Sequence, residues 1–279
     1  MDSYFNINLE FDKEKINHTI QGVIKNDIAG YVCSIDGNNL ISANEDPIHL
    51  EAINGAIVNL CDSAWIPLFV NFIYKTRYKN YTGADLFLEY IQTKQYRQFF
   101  LGSTPQVLEG LKKQLTKIDA AIAGMRFETL PFERVEDFDY PQIAQMINDD
   151  NPDIIWVSLG APKQEQFMYR LKPFLKKGIM FGFGAIFNFN SGIDEYKRAP
   201  RWMIRLRLEW LFRTIQEPER MIKRYWHIAI SWPKLILEES RKNKSIMSLR
   251  AYHGKNVPLQ EVKRLAMTSN SEKDNSIKI

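Results

Sequence analysis

The chain has 279 residues, 45% of them hydrophobic, enough to bury the core of an enzyme-sized domain. Its formal net charge is only +4, and no apolar run reaches the roughly 18 to 20 residues that cross a bilayer. The opening residues MDSYFNINLEFDKEKI place acids where a secretory signal needs bases, so the cytoplasm is the expected compartment, and the two cysteines, Cys33 and Cys61, read as small buried residues in apolar runs rather than a disulfide framework.

Along the chain, strand and helix signals alternate. Residues 30–35 and 39–42 read as strands flanking a hairpin turn at Asp36-Gly37-Asn38. Residues 47–54 predict a helix, 56–61 a strand and 84–92 a helix. Strands follow at 98–101, 120–123, 154–159 and 179–183, with helices at 105–115, 140–147 and 163–175 between them. That order predicts an α/β, Rossmann-like, mostly parallel sheet with right-handed crossovers. From Pro200 the pattern is helical, with Pro218 and Pro233 as breaks or helix starts. The polar stretch from Thr268 is expected to be disordered. The domain reading is a body at 1–196, a basic helical appendage at 197–264 and a tail at 265–279.

The small net charge conceals an asymmetry. Residues 197–264 hold 17 Lys or Arg against 6 Glu and no Asp, a balance of +11, so with a neutral tail the first 196 residues carry −7. Four of the six tryptophans lie between Trp202 and Trp232. An acidic body joined to a basic, Trp-rich segment suits a peripheral enzyme on an anionic membrane surface, and equally a solvated basic face whose tryptophans pack on the body. No nucleic-acid motif accompanies the charge, so nucleic acid is not an expected partner. Self-association into a homo-oligomer is left open.

Several residues suggest chemistry by position. Residues 154–159 run into Gly160 and Pro162, a strand-turn-helix unit whose helix N-terminus favours an anion such as a nucleotide diphosphate. Asp62 follows the strand at 56–61, where a carboxylate can serve as a general base or as an ordinary helix N-cap. Gly102 follows the strand at 98–101, where a missing side chain would let a nucleotide approach the backbone. Gly182-Phe183-Gly184 lacks the third glycine of a dinucleotide fingerprint because Phe187 stands there. Asp137-Phe138-Asp139 has the D-x-D form that can hold a divalent ion, but its surroundings read as a solvated acidic loop before a helix, and the four histidines are dispersed. No metal and no cofactor are expected.

The turn Gly160 to Glu165, with Arg198 to Trp202, Glu209 to Arg213 and Glu217 to Arg220, reproduces in order the G-x-P-K-Q-E, R-A-P-R-W, E-W-L-x-R and E-P-x-R motifs of the WecG/TagA/CpsF family of bacterial glycosyltransferases, which the chain resembles most strongly over 154–226. The resemblance implies a metal-independent, inverting transfer of a sugar from a UDP-sugar donor to a polyprenyl-diphosphate-linked acceptor, in surface-polysaccharide synthesis at the inner membrane face. It makes Asp62 the catalytic base, with Ser63 in place of the usual glycine after it. It places Ser42 and Asn44 in a Thr-x-Asn element near the pocket, Gly83 and Asp85 in a T/G-G-x-D element, and Gln164 in the turn motif. Arg213, Arg220 and Arg224 become the phosphate-contacting arginines, and Arg220 and Arg224, four apart, share one helical face. Asn188 stands where the family commonly has Asp. The alternative is a non-catalytic peripheral membrane subunit that supports a partner transferase.

Overall fold

A computed structural model describes residues 2–193, 200, 202–203 and 208–253. Six strands form one wholly parallel sheet: β3 Ala29–Ile35, β4 Val58–Cys61, β5 Gln98–Gly102, β6 Arg126–Glu128, β7 Ile154–Ser158 and β8 Gly178–Gly182, ordered β4-β3-β8-β7-β5-β6. Ahead of it, β1 Asp2–Tyr4 and β2 Ile7–Leu9 make an antiparallel hairpin. Every residue of β5, β7 and β8 is buried, which is why these strands are continuous apolar runs rather than alternating ones. The indole of Trp156, fully buried, donates to Gln98 Oε1 at 2.6 Å, so this large central side chain leaves no donor unsatisfied.

Helices cover both faces. Against one lie α1 Lys13–Lys25, α5 Gly83–Thr93, α6 Pro105–Thr116 and α9 Gly184–Asn190, contributing Ile16, Leu86, Leu111 and Phe187 to the core. Against the other lie α2 Gly37–Glu45, α3 Pro47–Asn54, α4 Ile66–Tyr74, α7 Tyr140–Asp150 and α8 Lys163–Leu171, contributing Leu40, Ile53, Val70, Ile147 and Phe167. The appendage follows as α10 Glu209–Gln216 and α11 Pro218–His253. α11, 36 residues and about 54 Å long, is seated across α2 and α4. Its Trp232 packs 4.8 Å from Phe69 and 5.6 Å from Phe5, and Glu239 accepts the Tyr74 hydroxyl at 2.6 Å.

The sequence reading needs correction in four places. Residues 36–42 do not form a hairpin: Asp36 takes a bond from Asn39 N at 2.8 Å and caps α2, so its short polar side chain starts a helix instead of a turn. Residues 120–123 lie in a 3-10 turn, Ala120–Gly124, capped by Asp119, and the edge strand comes later as β6. The helix expected over 163–175 ends as α at Leu171 and tightens into a 3-10 turn at Lys172–Phe174. Pro233 neither breaks nor starts a helix but lies within α11. The tail 265–279, residues 254–264 of the appendage, and Arg198, Arg201, Arg205 and Arg207 lie outside the described residues.

Candidate active site

The strands' C-terminal ends bring Asp36, Asp62, Ser158 and Phe183 to one edge of the sheet, the edge at which open α/β sheets bind ligands. Asp62 extends the β3–β4 ladder through its N–H, bonded to the Ile35 carbonyl at 3.0 Å. Its carboxylate is then held from two directions. Ser34 Oγ donates to Oδ2 at 2.9 Å, and the N–H of Gly83, the first residue of α5, donates to Oδ1 at 3.3 Å. A Cβ at Gly83 would stand 3.1 Å from the Phe183 ring and 3.2 Å from Ser34 Oγ, so glycine keeps this approach open. Thr82 caps α5 in a reciprocal pair with Asp85, the hydroxyl donating to the carboxylate at 2.6 Å and accepting Asp85 N at 3.2 Å.

Sequence left Asp62 with two roles, base or helix cap. The capping role belongs to its neighbour: Ser63 Oγ accepts from Trp65 N at 3.1 Å and from Ile66 N at 3.4 Å at the start of α4. The serine in place of glycine therefore serves the helix, and the half-buried Asp62 carboxylate points to the cluster of Ser34 and Gly83.

Behind that cluster Gln164 sits in a buried polar network whose other members, Asn39, His49 and Glu165, sequence reasoning did not assign. Asn39 donates to the Ser34 carbonyl at 3.2 Å and to Glu165 Oε1 at 3.1 Å, while its Oδ1 lies 2.6 Å from His49 Nε2. Gln164 donates to Glu165 Oε1 at 2.8 Å and to the Gly182 carbonyl at 3.1 Å, and accepts Gly184 N at 3.1 Å. Burial drives the Glu165 carboxyl up to about 7 against the opposing bonds from Gln164 and Asn39, and burial takes His49 down to about 4. Glu165 Oε2 and His49 Nδ1 have no hydrogen-bond partner among the described residues. The Gln-Glu pair of the turn motif thus ties the start of α8 to the β8–α9 turn. The single signal for it was the motif itself, because a buried Glu and a buried Asn are not separable from surface ones by pattern.

The other expected residues scatter. Arg224 meets Asp36 in an ion pair at the head of α2, which brings the C-terminal helix to the same sheet edge as Asp62, and its Nε is buried with no partner among the described residues. Arg213 lies over the Phe189 ring, 5.2 Å from its centroid. The side chain of Arg220 lies outside the described residues. Gly102 adopts φ +93°, and a Cβ there would meet the Ser158 carbonyl at 2.5 Å, so its missing side chain makes room for the neighbouring strand end. Ser42 and Asn44 lie along α2, about 9 and 12 Å of helix rise beyond Asp36. The Asn44 carboxamide is committed to the Leu40 and Phe5 carbonyls at 2.9 and 3.0 Å. The hydroxyl at Asp62 is instead that of Ser34, which with Asp36 repeats the hydroxyl-x-polar spacing at a strand end, eight residues earlier than the pair singled out by sequence.

The D-x-D segment lies in the loop between β6 and α7, where the Phe138 ring packs 5.1 Å from that of Phe167 on α8. Asp137 pairs with Arg134 at 2.8 Å, Phe138 is buried, and Asp139 caps α7 through Gln142 N at 3.0 Å. A cavity of about 360 Å³ lined by Ala29, Tyr169, Arg170, Lys172 and Pro173 lies at the start of β3, on the other edge of the sheet. No described helix is long and apolar enough to cross a membrane.

The model of the glycosyl transferase WecG/TagA/CpsF family matches residues 4–245. An N-acetylglucosaminyldiphosphoundecaprenol N-acetyl-beta-D-mannosaminyltransferase of Bacillus subtilis (strain 168) is 26% identical over 233 residues, 82% of this chain and 86% of that protein. The protein of the same name from Bacillus spizizenii (strain ATCC 23059 / NRRL B-14472 / W23) is 28% identical over 201 residues, 70% of this chain and 72% of its own length. With the parallel sheet, the carboxylate at the end of β4 and a match over nearly the whole described chain, the protein belongs to the WecG/TagA/CpsF family and is a glycosyltransferase.

Proposed function

We propose that the protein moves a sugar from a UDP-sugar donor to a polyprenyl-diphosphate-linked acceptor, with inversion at the anomeric carbon. The observation that carries this is Asp62, relieved of helix capping by Ser63 and oriented by Ser34 and Gly83 at the sheet's C-terminal edge. In the reaction the acceptor hydroxyl oxygen forms a bond to the anomeric carbon as the bond from that carbon to the β-phosphate oxygen breaks. The hydroxyl proton passes to Asp62, and one displacement from the face opposite the leaving group inverts the centre. UDP departs with added negative charge, which cationic side chains neutralise. Arg224, already at this edge, and Arg213 and Arg220 from the same appendage are assigned that role, since the guanidinium fork matches phosphate oxygens. The body would work as a peripheral protein on the inner membrane face, where a lipid-linked acceptor is reached.

A screen of UDP-sugars against a short-chain polyprenyl-diphosphate N-acetylglucosamine tests the reading. Since the two Bacillus relatives are named N-acetyl-beta-D-mannosaminyltransferases, the N-acetylmannosamine donor is the first to try. Release of UDP with formation of a disaccharide lipid is expected, and no transfer from any UDP-sugar defeats the proposal.

A further inference from the structure

We propose that α4 and α11 together form a bilayer-docking face, so that the catalytic body, and not only its basic appendage, touches the membrane. α4 leaves Trp65, Leu68 and Phe72 exposed at 50, 40 and 71%, and their spacing of three and four sets them on one stripe. α11 has two stripes. Met221, Trp232, Leu235, Glu239 and Ile246 are buried, while Ile222, Trp226, Ile230 and Leu237 are exposed. At 100° per residue the exposed stripe centres about 150° round the helix from the buried one.

Contacts on either side of the buried stripe fix how α11 is seated. Arg224, His227 and Ser231, which meet Asp36 and Glu45 of α2, stand on one side of the buried stripe. Asn243, which donates to the Ile73 carbonyl of α4 at 2.8 Å, stands on the other. The exposed stripe lies opposite the body, about equally far round α11 from Asn243 and from His227. Phe69, next to Leu68, packs at a tilt on Trp232, so α4 and α11 are neighbours across one seam. The residues left exposed on each helix stand away from its buried ones, so the two stripes share the outer surface of this helix pair.

Charge identifies the occupant. Lys75 lies 4.8 Å over the Phe72 ring, and Arg77 and Lys79 are exposed after it, with no acidic residue anywhere in 63–84. On α11, Lys223, Lys234, Arg241 and Lys244 are exposed, against Glu219 and Glu238. A second copy related by two-fold symmetry would set these cations against themselves. An anionic lipid surface accepts both the apolar stripe and the basic rim. Trp65 is three residues from Asp62, so this docking holds the base at the depth of a lipid-linked acceptor; that consequence rests on the proposed reaction, while the docking does not.

The test uses the full chain and phosphatidylcholine vesicles with and without phosphatidylglycerol, free of acceptor. Leu68→Gln with Phe72→Gln, at exposed positions, is expected to lower partition onto the anionic vesicles by about tenfold or more, with melting temperature and turnover on a soluble acceptor unchanged. Brominated lipid is expected to quench wild-type tryptophan fluorescence more than that of Trp65→Phe. Vesicle binding equal to wild type in the double variant overturns the proposal, as does a double variant that merely converts a dimer to a monomer in sedimentation. Vesicle binding through this face without sugar transfer to any acceptor leaves the docking standing and removes the reaction.

Discussion

Asp62→Asn separates chemistry from architecture, because the replacement keeps the shape and removes the basicity. Asp62 accepts Ser34 Oγ at 2.9 Å and Gly83 N at 3.3 Å. An asparagine oxygen can keep the Gly83 bond while its amide donates to the Ser34 hydroxyl, which can rotate. What is lost is the charge assistance, roughly 1 kcal/mol between charged and neutral hydrogen bonds, less in a site that is half exposed. In a chain of this size that lowers Tm by about 2 to 4 °C. Removal of a positioned base lowers turnover by about 10² to 10⁴, equivalent to about 3 to 5 kcal/mol of barrier. The activity loss should therefore exceed the stability loss severalfold, with UDP binding retained in calorimetry. Ser63→Ala is the control: it removes the α4 cap, costs about 1 kcal/mol of stability and keeps turnover. Turnover of Asp62→Asn within threefold of wild type in a UDP-release assay refutes the assignment of Asp62 as base.

Transfer should persist in excess EDTA, since the arginines are assigned to the leaving group; loss of activity restored by Mg²⁺ or Mn²⁺ would return attention to Asp137 and Asp139. Arg220→Ala combined with Arg224→Ala should reduce turnover on a soluble acceptor by about 10² or more, as oxyanion-stabilising donors do elsewhere, and a wild-type rate would remove them from catalysis. Neutralising Lys234, Arg241, Lys242 and Lys244 should weaken sedimentation with anionic vesicles and leave that soluble reaction intact. Glu165 has its carboxyl raised from 4.5 to about 7 by burial, so between these values the folded chain keeps a proton that the unfolded chain releases. Stability contributed below pH 4.5 is lost as pH rises through 7, by a few kcal/mol. Glu165→Gln should flatten this slope in denaturant titrations and be the more stable chain at pH 8; an unchanged slope would show that Glu165 does not titrate there.

The parallel sheet was legible because buried strands such as 154–158 are apolar without interruption and helices separate them. The hairpin expected at Asp36-Gly37-Asn38 failed because Asp serves turns and helix caps by the same side-chain geometry, and only packing of Leu40 and Ile41 chose the helix. The real hairpin, at β1–β2, was invisible for the opposite reason: its turn places Phe5 and Asn6 at φ 52 and 64°, and Phe5 carries no turn signal. At the candidate site, Asp62 was legible as a carboxylate at a strand end and Gly83 as a motif glycine, and the structure brings the two together. Ser34, Asn39 and His49 were not legible, since their roles arise from contacts between segments up to 126 residues apart.

The ring of Phe5 has a further consequence, for the order in which the chain becomes whole. It is 1% exposed, and part of its cover is Trp232, from the helix that begins at Pro218. During synthesis the β1–β2 hairpin emerges more than two hundred residues ahead of that indole. The body can assemble its sheet in the interval, but the seat of α11 on the hairpin closes only when the appendage has left the ribosome. The hairpin and α11 are thus one clasp, and a nascent or truncated protein that stops before Trp232 leaves one side of the Phe5 ring without its cover.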